Sequence, residues 1–459
     1  EDLGISLVVA VGNEYSSGFG GGNGTNLASN PDSGTAGSPS TYSAALAVAS
    51  INGQESPYFM ANESAGKEGT VAFLTEASDA NGNEFDFIEG IYEAVDADPG
   101  EPLTLNYVVV DGVGRPINYT SAVRNALADG RTLALVRRGD TSFEEKVETA
   151  MANGAVGVII YNNVSGTIRM SLGDVENPVP TCSIGMDAGR LMVDGAVAKV
   201  GTVTFSHGYT AGPFMSDFSS WGPTPDLKLK PEITAHGGEI TSSVPGGYDE
   251  YSGTSMAAPN MSGAVALLRQ HVTATEGLTG TALRARVNQL LMSTATMALN
   301  EEGNPYSPRK QGAGLAGIAA AIDAESFIYV KDAEGNMLDK TKLELGDDKE
   351  RTGVYTMAFT VKNISGTAAT YTPAAYVMTE TLASDNKTVA EKSYMLGSTT
   401  VFSVGGQPVS SVTVPADGEV TVQAQITLSA ADREYIETSF VNGMYVEGFL
   451  RLTASEGAE

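Results

Sequence analysis

The stretch Ser252–Gly263, SGTSMAAPNMSG, decides how the rest of the chain is read. Small residues (Gly253, Ala257, Ala258) surround Ser255, and apolar residues follow at Val265, Leu267 and Leu268. The pattern predicts a helix from about Thr254 to Val272 with Ser255 in its first turn. A serine in that place has two readings. It is a plain cap, which satisfies a backbone N–H at the helix start. Or it is a nucleophile, set where unpaired N–H groups and the positive end of the helix dipole can hold an oxyanion. The neighbouring segments have to separate the two.

Working outward, the chain opens with EDLGISLVVAVGNEYSS. Leu3-Gly4 reads as a helix end with Gly4 at the stop. Ile5 to Val11 is an apolar run broken only by Ser6, the pattern of a strand buried on both faces of a parallel sheet. Such a strand needs a crossover and a partner, so the chain is expected to begin inside a domain. Ala44 to Ile51 reads as a second strand. Between about 66 and 205 the character changes: Thr132–Val136 predicts a strand, Ser142–Asn153 a helix and Val156–Tyr161 another strand. Thr141 or Ser142, with Glu144 and Glu145 in the first turn, starts that helix, and Gly154 ends it. This is a module inserted between two parts of another domain. Further helices are expected at Gly280–Leu299 and within GAGLAGIAAAIDA. From about Glu325, VYTMAFTVKN, EVTVQAQITL and MYVEGFLRLT alternate with period two, which predicts an antiparallel β-sandwich.

The 459 residues suggest two to four domains, and 42% hydrophobic residues suit globular packing. The formal charge is −28, from 27 Lys+Arg against 55 Asp+Glu, and no basic cluster stands out. Nucleic-acid binding, which needs a basic patch, is excluded as an expectation. The one cysteine, Cys182, allows no intrachain disulfide and reads as a small buried apolar residue. No run of 18 apolar residues exists, so no membrane-spanning helix is expected. The acidic loop Asp347-Asp348 with Glu350 lacks EF-hand spacing and reads as a solvated face, although structural Ca²⁺ is compatible with this acidity.

Gly253-Thr254-Ser255-Met256-Ala257 resembles the nucleophile motif of subtilisin-like serine peptidases. Asn13, after Gly12 at the end of the first strand, resembles the oxyanion asparagine of that family; read alone, Gly12-Asn13 is also a common turn. NPDSGTAGSPSTYSAALAVAS resembles the S1-pocket segment, with Ser38 and Pro39 in the pocket wall. DFSSWGP (217–223), KPEI (230–233) and QGAGLAGIAAAI (311–322) follow in family order. LALVRRGDTSFEEKVETAMANGAVGVIIYNN resembles a protease-associated domain, and the C-terminal part resembles the fibronectin-III-like domain of the lactocepin and C5a peptidase group of cell-envelope subtilases.

The resemblance implies an α/β fold. It comprises the C-terminal part of a subtilisin-like parallel-sheet domain (1–64 and 207–324), an inserted protease-associated domain (65–206) and a fibronectin-III-like sandwich (325–459). It also implies a secreted or cell-envelope bacterial serine endopeptidase acting on protein or peptide substrates without a required cofactor. Ser255 and Asn13 would be catalytic, and Gly12, Ser38, Pro39, Gly253 and Thr254 would bind substrate.

The family's Asp and His motifs precede the oxyanion asparagine, and neither occurs in the 12 residues before Asn13. Asp111-Gly112 looks superficially like the Asp motif but lies in the inserted module. Of the three histidines, His207 lies at the module's edge and His271 near the far end of the serine helix. His236, in ITAHGGEI, replaces the proline of the family's Ala-Pro-Gly segment. The expectation is therefore a peptidase whose Asp and His come from a separate or missing N-terminal segment. The alternative is a binding or adhesion protein on a dead subtilase scaffold. Trp221 reads either as a cleft wall or as a packed aromatic.

Overall fold

The computed structural model describes residues 3–18, 24–63, 69–164, 168–332 and 334–455. They fall into two compact units: one runs up to Gln54 and resumes at Pro213, the other spans Glu55–Gly212. The sequence boundary expected at 64/65 lies outside the described residues.

In the first unit, β1 (Leu7–Ala10), β2 (Ala45–Asn52) and β3 (Ile233–Gly238) form a parallel sheet in the order β1-β2-β3. Leu7 stands opposite Ala45, and Ile233 opposite Val48. β2 is central and its residues are buried from Ala45 to Ile51. β1 departs from the expected strand buried on both faces: it has one partner among the described residues, and Leu7 is 44% exposed. Gly4 adopts φ 67°, the left-handed conformation of a helix stop, while residues 1–2 before it lie outside the described residues.

The helix α1 (Thr254–Glu276) packs on this sheet. Its buried residues Ala257, Met261, Val265, Leu268 and Val272 recur at three- and four-residue spacing, so they share one face. That face meets Leu46 and Val48 of β2 and Ile233 and Ala235 of β3. α1 stops at Gly277, whose φ of 67° and N–H to the Thr273 carbonyl make a left-handed cap. α2 (Gly280–Ser293) adds Leu283, Val287, Leu290 and Leu291 to the same core.

Two helices are shorter than expected. α2 ends at Ser293 rather than Leu299, because Thr296 pairs with Leu315 instead of continuing the helix. In GAGLAGIAAAIDA only Ile318–Asp323 is helical. Gly312 and Gly314 take φ of 64° and 121°, and Ala313 and Ala316 donate to the carbonyls of Glu232 and Thr234 beside β3. Backbone pairing with the sheet overrides the helical preference of the small residues.

A buried charge cluster ties β2 and β3 to the lead into the sandwich. Glu232 is 1% exposed. Its carboxylate accepts from Ala47 N at 2.7 Å, Lys230 Nζ at 3.0 Å and Lys342 Nζ at 2.9 Å, with Lys340 at 3.4 Å. Lys230 also donates to the carbonyls of Tyr42 (2.9 Å) and Ala45 (3.0 Å). Burial by itself pushes the Glu232 carboxyl up, but the three lysines more than offset it and hold it below the usual carboxylate range. Burial pulls the Lys230 ammonium down to about 8, against the pull of Glu232. Glu232→Gln should therefore cost about 3–5 kcal/mol at pH 7, because it strands three partly or wholly buried ammonium groups. A depressed carboxyl stabilises the fold above its unfolded pKa of ~4.3, and that contribution is lost as pH falls through the lower folded value. Denaturant unfolding should show the gap between wild type and variant closing below about pH 4; a gap independent of pH would contradict the assignment.

The C-terminal part of this unit is an antiparallel sandwich. One sheet contains Ser326–Tyr329, Val354–Asn363, Glu419–Thr427, Thr399–Val404 and Gln407–Pro408. In the other, Ala369–Leu382 pairs with Val389–Met395, Val412–Val414 and Glu447–Ala454. Alternate residues such as Val422 and Ala424, or Val412 and Val414, point into the core, as period two requires.

The second unit is built on a nine-stranded mixed sheet. Its centre is parallel: Leu103–Val110, Thr132–Arg137, Val158–Tyr161 and Thr181–Ile184. The helix Phe143–Ala152 starts where Ser142 accepts from Glu145 N at 3.2 Å and ends before Gly154, which has φ 88°. Cys182 is fully buried, and burial pushes its thiol well up, so it is a packed, unreactive group.

Candidate active site

β1 delivers the chain into a tight turn. Val11 N donates to Val48 O at 3.0 Å, and Gly12 follows with φ 120°. A side chain at Gly12 would be strained by that φ and would meet Ser220 Oγ at 2.8 Å, so glycine is required twice over. The turn places Asn13 against the start of α1. Thr254 N and Thr254 Oγ1 both donate to Asn13 Oδ1, at 2.9 and 2.8 Å. Gly12 N donates to Thr254 Oγ1 at 3.2 Å. Two donors on one atom identify it as the amide oxygen, so Nδ2 is the other arm of the carboxamide. That nitrogen lies beside Gly253, where an added Cβ would approach it to 3.1 Å.

Ser255 is the second residue of α1 and is exposed. The backbone N–H groups around it are fixed. Thr254 N is taken by Asn13, and Met256 N and Ala257 N turn back to the Gly253 carbonyl at 2.9 and 3.3 Å. Ser255 N has no acceptor among the described residues, as befits a first-turn donor. Two donors thus lie around Gly253 at the start of α1: the Ser255 N–H and Asn13 Nδ2, 3.5 and 3.1 Å from where a Gly253 Cβ would stand. Gly253 N is anchored on the Gly237 carbonyl at 2.7 Å, which ties the helix start to β3. The same arrangement favours negative charge at this point, because the first turn of α1 carries no acidic residue and its dipole is positive here. Pro259, inside α1, lacks an N–H for the Ser255 carbonyl.

The segment with Ser38 and Pro39 is exposed and sits next to the Asn13 turn, since Gly37 N donates to Val11 O at 3.0 Å. Thr35 N and Ala36 N both donate to the Trp221 carbonyl, at 2.8 and 2.9 Å, and Trp221 N donates to Thr35 Oγ1 at 2.8 Å. Ser220 N donates to Gly12 O at 2.9 Å, and Glu14 N to Ser220 Oγ at 2.9 Å. Residues 219–222 thereby lace the Ser38–Pro39 loop to the Asn13 turn. Trp221 itself is 3% exposed, so of its two readings the packed aromatic is correct.

Among the described residues no histidine is hydrogen-bonded to Ser255. His236 Nδ1 lies 3.0 Å from the Asn52 carbonyl. His271 is about 24 Å further along α1 at ~1.5 Å per residue. His207 belongs to the other unit, where it pairs with Glu89. Asp111 is also in that unit and pairs with Lys199. Among the described residues no group of three His, Cys, Asp or Glu is placed to hold a metal ion. Asp348 instead accepts from Thr352 N and Gly353 N, at 3.0 and 2.9 Å.

One group was not found from the sequence. Arg309 is 2% exposed, and its guanidinium is met by two carboxylates of the sandwich. Nε and Nη2 grip Glu447 at 2.9 and 3.0 Å, and Nη2 also reaches Glu380 at 2.6 Å. Nη1 donates to Ser33 Oγ, which donates to the Gly222 carbonyl at 3.1 Å. Burial opposes the Arg309 charge, but Glu447 and Glu380 outweigh it and push its pKa further up. Two carboxylates share this one cation. Glu380, fully enclosed and with Oε2 unpartnered among the described residues, is pushed up to about 7 by burial, partly offset by Arg309.

Comparisons with known proteins identify the families to which the two ends of the chain are similar. The subtilase family matches residues 1–314, and an Fn3-like domain matches residues 343–459. The chain is 30% identical over 461 residues to a C5a peptidase of Streptococcus pyogenes, an alignment covering 98% of this chain and 35% of the relative. It is 33% identical over 373 residues to a PI-type proteinase of Lactococcus lactis subsp. cremoris, covering 77% of this chain and 19% of the relative. A PII-type proteinase of Lacticaseibacillus paracasei is 30% identical over 385 residues, with 77% and 19% covered. The chain therefore spans about a third or less of the length of these relatives.

Proposed function

The chain belongs to the subtilase family, and from that premise we propose that it is the nucleophile-bearing part of a bacterial serine endopeptidase, acting outside the cell on protein or peptide substrates. The observation that carries this reading is the pairing of Asn13 Oδ1 with Thr254, which turns Asn13 Nδ2 toward Gly253 at the start of α1, one residue from the exposed Ser255 and its free N–H. Ser255 Oγ attacks the scissile carbonyl carbon, and the carbonyl oxygen becomes an oxyanion between those donors. Their value lies in being oriented before charge develops. Collapse of the tetrahedral adduct expels the amine and leaves an acyl-serine, which water hydrolyses to regenerate Ser255. Ser38 and Pro39, with Gly12, Gly253 and Thr254, form the wall against which the residue before the scissile bond rests. The reaction uses no cofactor, and any Ca²⁺ would be structural.

The proton from Ser255 goes to a histidine oriented by an aspartate, both in a segment outside these residues. β1 has one partner among the described residues, so its other edge offers that segment a strand to pair with, and Leu7 on it is 44% exposed. The Glu55–Gly212 unit is read as a protease-associated domain whose role is to restrict access or to engage protein substrates. A fluorophosphonate probe tests the proposal. The complete protein should label, with the adduct on Ser255 by mass spectrometry, and the isolated 459-residue chain should not. Absence of labelling in the complete protein would sink the peptidase reading and leave a scaffold used for binding.

A further inference from the structure

Arg309 joins the sandwich to the catalytic loops by bonds that all come from one side chain and its own carbonyl. Glu447 takes a two-pronged bond and Glu380 a third. Ser307 Oγ braces Glu447 from behind at 2.6 Å, and the Tyr445 ring lies 4.5 Å from the guanidinium carbon. On the other side, Nη1 holds Ser33, and the Arg309 carbonyl accepts from Gly222 N at 2.8 Å. From Ser33 the chain runs through Thr35 and Ala36, bonded to Trp221, to Gly37, bonded to Val11, and on to Ser38 and Pro39. From Gly222 it runs back through Ser220, bonded to Gly12, to the turn that carries Asn13. A buried ion cluster is a poor way to gain stability, since apolar packing of the same volume serves as well. A planar fork held by two carboxylates does fix direction, which an ammonium cannot.

We propose that Arg309, clamped by Glu447 and Glu380, is a positioning residue for peptide hydrolysis: it passes the docking of the Fn3-like sandwich to the Ser38–Pro39 loop and the Asn13 turn. The sandwich is then part of the catalytic unit rather than a spacer. This rests on the peptidase reading, so the test has one arm that needs activity and one that does not.

Arg309→Lys and Glu447→Gln are made in the complete protein, with Gln289→Ala as control. Gln289 is buried and donates to the Leu338 carbonyl at 2.8 Å, outside the Arg309 hydrogen-bond network. In the first arm, kcat/KM for a peptide substrate should fall 10- to 100-fold in both clamp variants, mostly through KM. Gln289→Ala should stay within twofold of wild type. In the second arm, amide hydrogen exchange at Thr35, Ala36 and Gly37 should quicken at least tenfold in the clamp variants, with the protection of α1 unchanged. Kinetics within twofold of wild type in folded clamp variants, or equal losses in Gln289→Ala, would overturn the proposal. If the wild-type protein hydrolyses nothing, the peptidase reading fails, and the exchange arm alone decides the coupling: unaltered exchange at residues 35–37 refutes it.

Discussion

Replacing Ser255 by alanine should lower the peptidase turnover of the complete protein on the order of 10⁶-fold, the scale known for the triad serine of a subtilisin. The hydroxyl is the only group removed, and it makes no hydrogen bond among the described residues. Ser255 is exposed in the first turn of α1, so alanine there should leave stability within about 0.5 kcal/mol. The loss is thus separable from unfolding. Residual activity of about 10³–10⁴ over water should remain, because substrate binding and the two oxyanion donors survive the change. Turnover of a peptide substrate should fall to that residual level, and covalent labelling should be lost with it. A variant that still turns over within tenfold of wild type would place the nucleophile elsewhere.

The second large effect is at Asn13. Asn13→Ala should reduce kcat by roughly 10²–10³, or ~3 kcal/mol of transition-state stabilisation, with KM nearly unchanged. That scale also comes from a subtilisin. The donor is useful only once the carbonyl oxygen carries charge, so ground-state binding should not register its loss. Asn13 has a second task, however: its Oδ1 accepts two hydrogen bonds from Thr254. Alanine removes both, so part of its effect could be a loosened helix start. Asn13→Asp separates the two tasks, because it keeps an acceptor for Thr254 while turning the donor into a negatively charged acceptor. It should retain the fold and lose at least as much kcat as alanine. A change confined to KM in either variant would remove Asn13 from the oxyanion site.

What could be read from the sequence was what local spacing encodes. The apolar face of α1 repeats every three to four residues, and the Ser142 cap stands next to its helix. Alternation of Val422, Ala424 and Ile426 exposes the sandwich in a single strand. The same local logic misjudged Ala313–Ala316, whose small residues suit a helix but whose N–H groups go elsewhere: Ala313 and Ala316 donate to Glu232 and Thr234, and Leu315 to Thr296. It also over-buried β1, because an apolar run does not tell how many neighbours a strand has. For the candidate site, order along the chain brought Asn13, Ser38–Pro39 and Ser255 under suspicion. Order cannot show that Asn13 presents its oxygen to Thr254 and its nitrogen beside Gly253. The clamp at Arg309 was out of reach for a different reason. Its partners lie 71 and 138 residues away, and nothing near any of the three signals a pair. Glu232 with Lys340 and Lys342 is the same case.

The ends of the inserted unit have a consequence for how such chains change over time. The host chain leaves after Asn52 and returns at Phe214, and Asn52 N donates to the Phe214 carbonyl at 3.0 Å, with Ile51 paired to Met215. Departure and return are adjacent rungs of one ladder. Whatever is spliced there closes a loop the host has already closed, so its length adds little entropic cost. The position works as a socket: the length of the 55–212 segment can change while Asn52 and Phe214 keep their pairing.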